Sequence, residues 1–449
     1  MKRIGSVIIS LIAVLAIGFV STNYLFPILK DFFGGRTYSQ TNCLTEMITP
    51  EMDIYDIAKS YRDGKANVAV TLNVKNVIDG KYYAPLGSGV CVASKGYQTS
   101  IDDNLVASKG SYIATNYHNI EYFYSSDYTD CSVAIMTEDE NSYPCEVLWS
   151  NKDLDLAVLY CDSVNINYVT MKDRSIFCEQ EDKLDYEQIF TIGTPLDTDY
   201  INRLTIGNVA SNNSMVYFTG ETIYPKTNLI GTPTGYTNSP TASSTTGYEV
   251  LSNTYEDAID VALGITNGNS GGGCFDEKGN LIGLTTLGGN VDRTHGNQMN
   301  GVVPIYPIAE ILDKLIANNE TNSNHSIYTI EKLNIVGLDA NEASIVKSIY
   351  DEMVEEGYDF DYYFYDGRFY GLSYTRDFSF DEKGYYILSN SSVALSNLSR
   401  GKIITGAKIN TNEKVDIIDR NDLIYLLLQV ENGDSVTFYY DNTNITVTF

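Results

Sequence analysis

The chain has 449 residues, enough for two or three domains with a substantial buried core. Apolar residues make up 43 % of it, an ordinary globular share that excludes wholesale disorder. With 30 basic against 58 acidic residues the net charge is −28, and such a surface repels phosphate backbones, which argues against nucleic-acid binding.

At the N-terminus, Lys2 and Arg3 precede an uncharged run from Ile4 to Leu29 whose apolar core ends at Val20. A helix of about 20 residues spans a bilayer, so residues 1–30 read as a cytoplasmic stub and a transmembrane signal anchor. No convincing cut site stands near "GFVST", so the segment is expected to stay uncleaved, with everything after it outside the cytoplasm. Residues 31–48 read as a polar spacer. "TPEMDIYDIAKSYRDG" predicts a helix, with Thr49 as cap, Pro50 in the first turn, and Ile54, Ile57, Ala58 and Tyr61 on one face. In "VAVTLNV" the apolar residues alternate, which puts Val68, Val70, Leu72 and Val74 on one side of a strand.

From there to about residue 312 the pattern is short β-like runs between Gly, Asn and Asp, among them "SGVCVAS", "SYIATNYH", "DLAVLYC", "QIFTIGTP", "LTIGNVAS", "GLTTL" and "GVVPI". Repeated short strands without long intervening helices predict an all-β sandwich or barrel. Residues 94–110 and 219–252 read as long loops, and "YPIAEILDKLIANN" as a closing amphipathic helix. A mainly β unit over 49–318 is therefore followed by a polar linker, "NETNSNHS" (319–326), and a small α+β unit over 327–449. In that last unit "EASIVKSIYDEMVEEG" and "DRNDLIYLLLQV" read as helices, and "GYYILS", "SVTFYY" and "NITVTF" as strands. The seven cysteines (Cys43, Cys91, Cys131, Cys145, Cys161, Cys178 and Cys274) match no zinc spacing and leave disulfide pairing open. No metal and no cofactor is expected.

Of the three histidines, His295 and His325 lie in polar loops, whereas His118 follows an apolar strand that would hold it near the core. Asp155 opens the strand in "NKDLDLAVLY", with Asp153 in the preceding loop as its competitor; a carboxylate at the head of a buried strand needs a partner. Ser270 sits in "GNSGGG". A serine needs a base before it can attack, and flanking glycines allow a tight turn that aims backbone N–H groups at a developing oxyanion. His118, Asp155 and Ser270 follow one another in an order known for catalytic triads, within a chain already read as β-barrels.

These residues resemble the HtrA/Deg group of trypsin-like serine proteases. "SYIATNYHNI" is similar to the group's histidine strand, and "DLDLAVLY" to its aspartate strand, which selects Asp155 over Asp153. "ITNGNSGGGCFDEKGNLIGLTT" is similar to its nucleophile segment, and "GSGVCVAS", "TIGTP", "RLTIGNVAS" and "GVVPIYPIAEIL" to flanking elements, over roughly residues 50–318. "GYYILSNSSVALSNLSRGKIITGAKIN", with a helix ending near Leu398, and "NDLIYLLLQVENGDSVTFYY" resemble a PDZ domain.

The resemblance implies a two-barrel protease fold followed by a PDZ-like domain. Ser270 would be nucleophile, His118 general base and Asp155 its orienter, with backbone N–H groups across Gly268, Asn269 and Ser270 as the oxyanion hole. It also implies Gly264 in the specificity pocket, Thr285, Thr286 and Leu287 as the edge that pairs with an extended substrate, and Gly371, Leu372 and Ser373 in the PDZ peptide groove. The implied partners are unfolded or misfolded polypeptides and, by the group's habit, two further copies of the chain in a trimer. Gly273, where relatives often carry Pro or Ala, implies a looser turn, and the 219–252 loop a gated cleft. A catalytically silent peptide-binding scaffold is the alternative. An esterase is disfavoured because "GNSGG" leads into a strand rather than a helix.

Overall fold

The computed structural model describes residues 42–95, 98–99, 105–106, 110–152, 154–173, 188–194, 201–218, 254–261, 268–290, 298–339 and 382–449. The anchor segment 1–30, the 219–252 loop, the helix expected at "EASIVKSIYDEMVEEG", Asp153, Gly264 and Gly371–Ser373 lie outside these residues. Among the described residues no helix is long and apolar enough to cross a membrane.

The first helix, α1, covers Ile54–Gly64 and buries Ile54, Ile57, Ala58 and Tyr61 on the face the periodicity requires. Its start differs from expectation. Asp53, not Thr49, caps it, by accepting the Asp56 N–H at 2.9 Å. Pro50 lies in the turn ahead of the helix.

The first barrel is built from β1 (Asn67–Asn76), β2 (Tyr82–Tyr83), β3 (Leu86–Ser94), β6 (Ser111–Thr115), β7 (Tyr128–Met136), β8 (Ser142–Asn151) and β9 (Leu156–Cys161), in the order β2-β1-β3-β6-β9-β8-β7. Antiparallel pairing of β1 with β7, Val70 opposite Ile135, closes it. Within the expected 94–110 loop, β4 (Gln98–Thr99) and β5 (Leu105–Val106) form a separate two-stranded ribbon. The second barrel is closed, β10-β11-β12-β15-β14-β13, from β10 (Gln188–Gly193), β11 (Arg203–Phe218), β12 (Thr254–Val261), β13 (Gly273–Asp276), β14 (Leu281–Asn290) and β15 (Gln298–Pro304).

Why β3, β6 and β9 read as unbroken apolar runs is now plain: both of their faces are buried. Cys91, Ile113 and Leu159 point into the first barrel with Val68, Val70, Leu72 and Val74. Their neighbours Val90, Val92, Tyr112, Ala114, Leu156 and Val158 join a second cluster with Phe190, Ile192 and Phe275 of the other barrel and Tyr61 of α1. Phe190 stacks on Phe275 at 4.9 Å between centroids, and the Tyr61 ring meets both edge-on. The cleft between the barrels is therefore framed by elements that share one apolar cluster.

Helix α2 (Tyr306–Thr321) follows the second barrel and runs two residues past "LIANN", ending where Asn322 turns left-handed. The C-terminal unit is a sheet in the order β16-β17-β18-β20-β21, formed by β16 (Ile335–Asp339), β17 (Tyr385–Asn390), β18 (Ile403–Ile409), β20 (Ser435–Tyr440) and β21 (Thr443–Thr448), with β19 (Val415–Asp416) paired to β18. Its helix α3, Arg420–Leu428, starts from an Asp419–Asp422 capping box. Residues 391–400, expected to end a helix near Leu398, are instead a turn folded around Asn390, whose Nδ2 donates to the carbonyls of Leu395 and Leu398.

Candidate active site

His118 is not on a strand end but on a single 3-10 turn, Tyr117–Asn119, directly after β6. Asp155 sits at the tip of the β8–β9 hairpin with its backbone left-handed, φ 48°, a region that Asp and Asn enter more cheaply than other residues with a Cβ. The strand ladders bring these two together. His118 Nδ1 lies 3.0 Å from Asp155 Oδ1 and 2.9 Å from Oδ2, and the His118 backbone N–H donates to Oδ1 at 2.9 Å. Since the carboxylate only accepts, Nδ1 carries the proton, and Nε2 is left as the acceptor of the neutral ring.

The carboxylate is 2 % exposed, so its oxygens must be satisfied from within the protein. The remaining donor is the Thr286 hydroxyl, 3.0 Å from Oδ2. Asn116 Nδ2 fixes the same turn by donating to the Asp155 carbonyl at 2.9 Å. The His118 ring is recessed and 36 % exposed. Its burial pulls the pKa down, but the charge and hydrogen bond of Asp155, aided by Glu121, more than offset this and hold it above the ordinary imidazole value. Glu121 is itself raised, chiefly by burial.

Ser270 lies in the turn between residues 268 and 272, on the other barrel. Gly272 N–H closes the turn on the Asn269 carbonyl at 2.8 Å, and Thr285 Oγ donates to the same carbonyl at 2.5 Å. Gly271 has φ +86°, and a Cβ there would stand 2.1 Å from the Ser88 carbonyl, so only glycine fits. Ser88 clamps the turn from the first barrel: its N–H donates to the Ser270 carbonyl at 2.7 Å and its hydroxyl to the Gly268 carbonyl at 2.7 Å. No acceptor among the described residues is bound to the N–H of Gly268 or of Ser270.

The Ser270 hydroxyl donates to the Thr286 carbonyl at 3.1 Å, and no hydrogen bond among the described residues joins it to His118. All three candidate residues therefore meet at one cleft, the base and carboxylate in contact and the serine turned aside onto Thr286.

Two expectations change. Thr285 is not an open edge: its N–H donates to the Gly272 carbonyl at 2.8 Å and its carbonyl accepts the Gly271 N–H at 2.7 Å, which makes it a strut of the serine turn. Among the described residues the unpaired edge begins at Thr286, because β13 stops pairing with β14 at Gly273–Leu284 while β14 runs on to Asn290. Nor is Gly273 loose. It is buried as the first residue of β13, opposite Ile192 and Leu284.

Sequence reasoning missed Asn119. Its Nδ2 donates to the Ser270 carbonyl at 2.8 Å and to Thr115 Oγ at 3.0 Å, which ties the turn after His118 to the serine. The signal was the "GSG" of residues 87–89, since a Cβ at Gly87 would stand 2.4 Å from the Asn119 side chain. Among the described residues no group of three or more His, Cys, Asp or Glu is placed to hold a metal ion.

A trypsin-like peptidase domain is matched over residues 87–284. The chain is similar to the serine protease Do-like HtrA of Lactococcus lactis subsp. cremoris (strain MG1363) and to that of Lactococcus lactis subsp. lactis (strain IL1403). Each is 23 % identical over 267 residues, which cover 58 % of this chain and 55 % of the relative, so the chain spans about half the length of these relatives. Among solved structures, a variant of the HtrA-type protease AlgW with a decapeptide aligns over 88 % of this chain and 96 % of its own at 16 % identity and a TM-score of 0.47. AlgW with a tripeptide aligns over 86 % and 94 %, at 17 % identity and a TM-score of 0.45.

Proposed function

We propose that the chain, matched to a trypsin-like peptidase domain over residues 87–284 and similar to HtrA-type serine proteases, is a serine endopeptidase in which Ser270, His118 and Asp155 act as a triad on extended polypeptides. The observation that carries this reading is the buried Asp155 carboxylate bound to His118 Nδ1, since that bond fixes the tautomer a general base needs. On substrate binding, the Ser270 side chain rotates from the Thr286 carbonyl to His118 Nε2. Its Oγ attacks the peptide carbonyl while Nε2 takes the proton and then passes it to the leaving amine. Water repeats the sequence in reverse to release the acyl group. Gly268 and Ser270 offer N–H groups to the oxyanion. The open edge of β14 from Thr286 through Leu287 takes the substrate as an added strand, and the substrate's backbone displaces the Ser270 hydroxyl from Thr286.

Unfolded or misfolded chains outside the cytoplasm are the substrates we infer, with residues 1–30 as membrane anchor, Gly264 in the specificity pocket and residues 327–449 as a PDZ-like peptide-binding unit. One feature favours the competing reading of a silent scaffold, namely the serine hydroxyl bonded away from His118. A fluorophosphonate probe decides between them. Wild type is expected to label and to cleave casein, and Ser270→Ala to do neither, with kcat/KM lower by roughly 10⁶-fold. A wild type that neither labels nor cleaves even with saturating extended peptide is a scaffold.

A further inference from the structure

Four cysteines line the first barrel, Cys91 and Cys161 within its core and Cys131 and Cys145 packed against it. Cys145 lies on β8 and Cys161 on β9. These strands pair antiparallel with Val147 opposite Leu159 and Glu146 opposite Tyr160, and one further step in that register sets Cys145 across from Cys161. Opposed residues of an antiparallel pair have Cα atoms about 4.5–5.5 Å apart, inside the ~4.4–6.8 Å that a disulfide spans. The Cys161 sulfur already leans towards β8, 3.3 Å from the carbonyl of Pro144, the neighbour of Cys145. The Cys145 thiol donates to the carbonyl of Tyr143 on its own strand at 3.5 Å. Neither remaining thiol competes in the same geometry. Cys131 falls opposite Val147 in the β7–β8 register and turns to the Tyr122 carbonyl, and Cys91 turns to the carbonyls of Ala93 and Ile166.

We propose that Cys145 and Cys161 are a redox modification site that closes to a cross-strand disulfide, with a low-molecular-weight disulfide of the glutathione type as oxidant. Cys145, the more exposed of the two, attacks the small disulfide as its thiolate and releases one reduced thiol. The Cys161 sulfur then attacks the Cys145 sulfur, breaks that mixed bond and releases the second thiol. Two protein thiols lose two protons and two electrons, and one small disulfide gains both as two thiols. The new bond staples the open end of the β8–β9 hairpin, whose tip carries Asp155.

The full chain, equilibrated with reduced and oxidised glutathione at graded ratios, then alkylated and digested, tests this by peptide mass spectrometry. The expected result is a linked peptide joining Cys145 to Cys161 at oxidising ratios, lost on reduction. The thermal midpoint of the oxidised form should rise by roughly 5–10 °C, because the bond removes loop entropy from the unfolded chain. Cys145→Ser and Cys161→Ser should each abolish the linked peptide and the redox dependence of the midpoint. Alkylation of both thiols at every ratio overturns the proposal, as does a dominant bond through Cys91 or Cys131. The linked peptide is read on the unmutated chain, so a variant that folds poorly does not obscure it. The readout does not pass through proteolysis, and it stands or falls apart from the activity proposed above.

Discussion

Asp155 holds a left-handed backbone at a buried position, a conformation that Asp and Asn enter more cheaply than most residues with a Cβ. Asp155→Asn therefore removes the charge and leaves the turn intact. Its kcat is expected to fall by roughly 10⁴-fold, because the amide no longer holds the His118 tautomer; equal rates in variant and wild type would refute the assignment. The pH dependence follows from the raised pKa of His118. On the proposed triad the reaction needs the neutral ring, so kcat/KM should climb with pH through an inflection above the ordinary imidazole value of about 6.5. The same shift stabilises the fold below that ordinary value, and the contribution is lost as pH rises through the folded-state value. Glu121→Gln should lower the inflection without abolishing activity, and a titration of rate against pH reads both effects. Thr286→Val removes the hydroxyl that satisfies Asp155 Oδ2 and should cost about 10–100-fold in kcat. The contact between Asp155 and His118 was readable because a carboxylate at the head of a buried strand needs a partner. The contact from Thr286 to Asp155 was not, because many residues can occupy a strand and only the ladder places this one beside the carboxylate.

At the level of strands and turns, sequence was most informative where burial is one-sided or total. The alternation in β1 and the apolar runs of β3, β6 and β9 each correspond to a specific pair of buried faces. It was least informative where a local side-chain bond outcompetes a pattern. Asp53 displaces Thr49 as the cap of α1, and Asn390 gathers the carbonyls of residues 395 and 398 into a turn where a helix was expected. The serine turn depends on Gly271 in the same local way. Gly271→Ala forces a Cβ against the Ser88 carbonyl at a positive φ, and should cost more than about 2 kcal/mol in stability along with probe labelling. Unfolding by denaturant with a matched labelling assay would expose an unperturbed variant.

Across the whole molecule, α2 joins the barrels to the C-terminal unit. Lys314 on α2 donates to the carbonyls of Leu428 and Val430, both at 2.9 Å, where α3 ends, and pairs with Glu431 at 3.0 Å. Ile308, Ile311 and Leu315 share one apolar cluster with Leu423 and Leu427. Lys314→Met should strip the donors from these carbonyls, lower stability by about 2 kcal/mol, and let the C-terminal unit melt before the barrels; a single unchanged calorimetric transition would contradict this. The shift in patterning at the linker announced a change of structure, but this joint was not legible, since a lysine on a helix face announces no partner. The strand edge that β14 leaves unpaired beyond Thr286 among the described residues carries a further consequence on the proposed activity. Such an edge accepts main chain of nearly any sequence but none that is already paired. The protease would then sort its clients by thermodynamic state, cutting each at a rate set by the fraction of time its strands are undone.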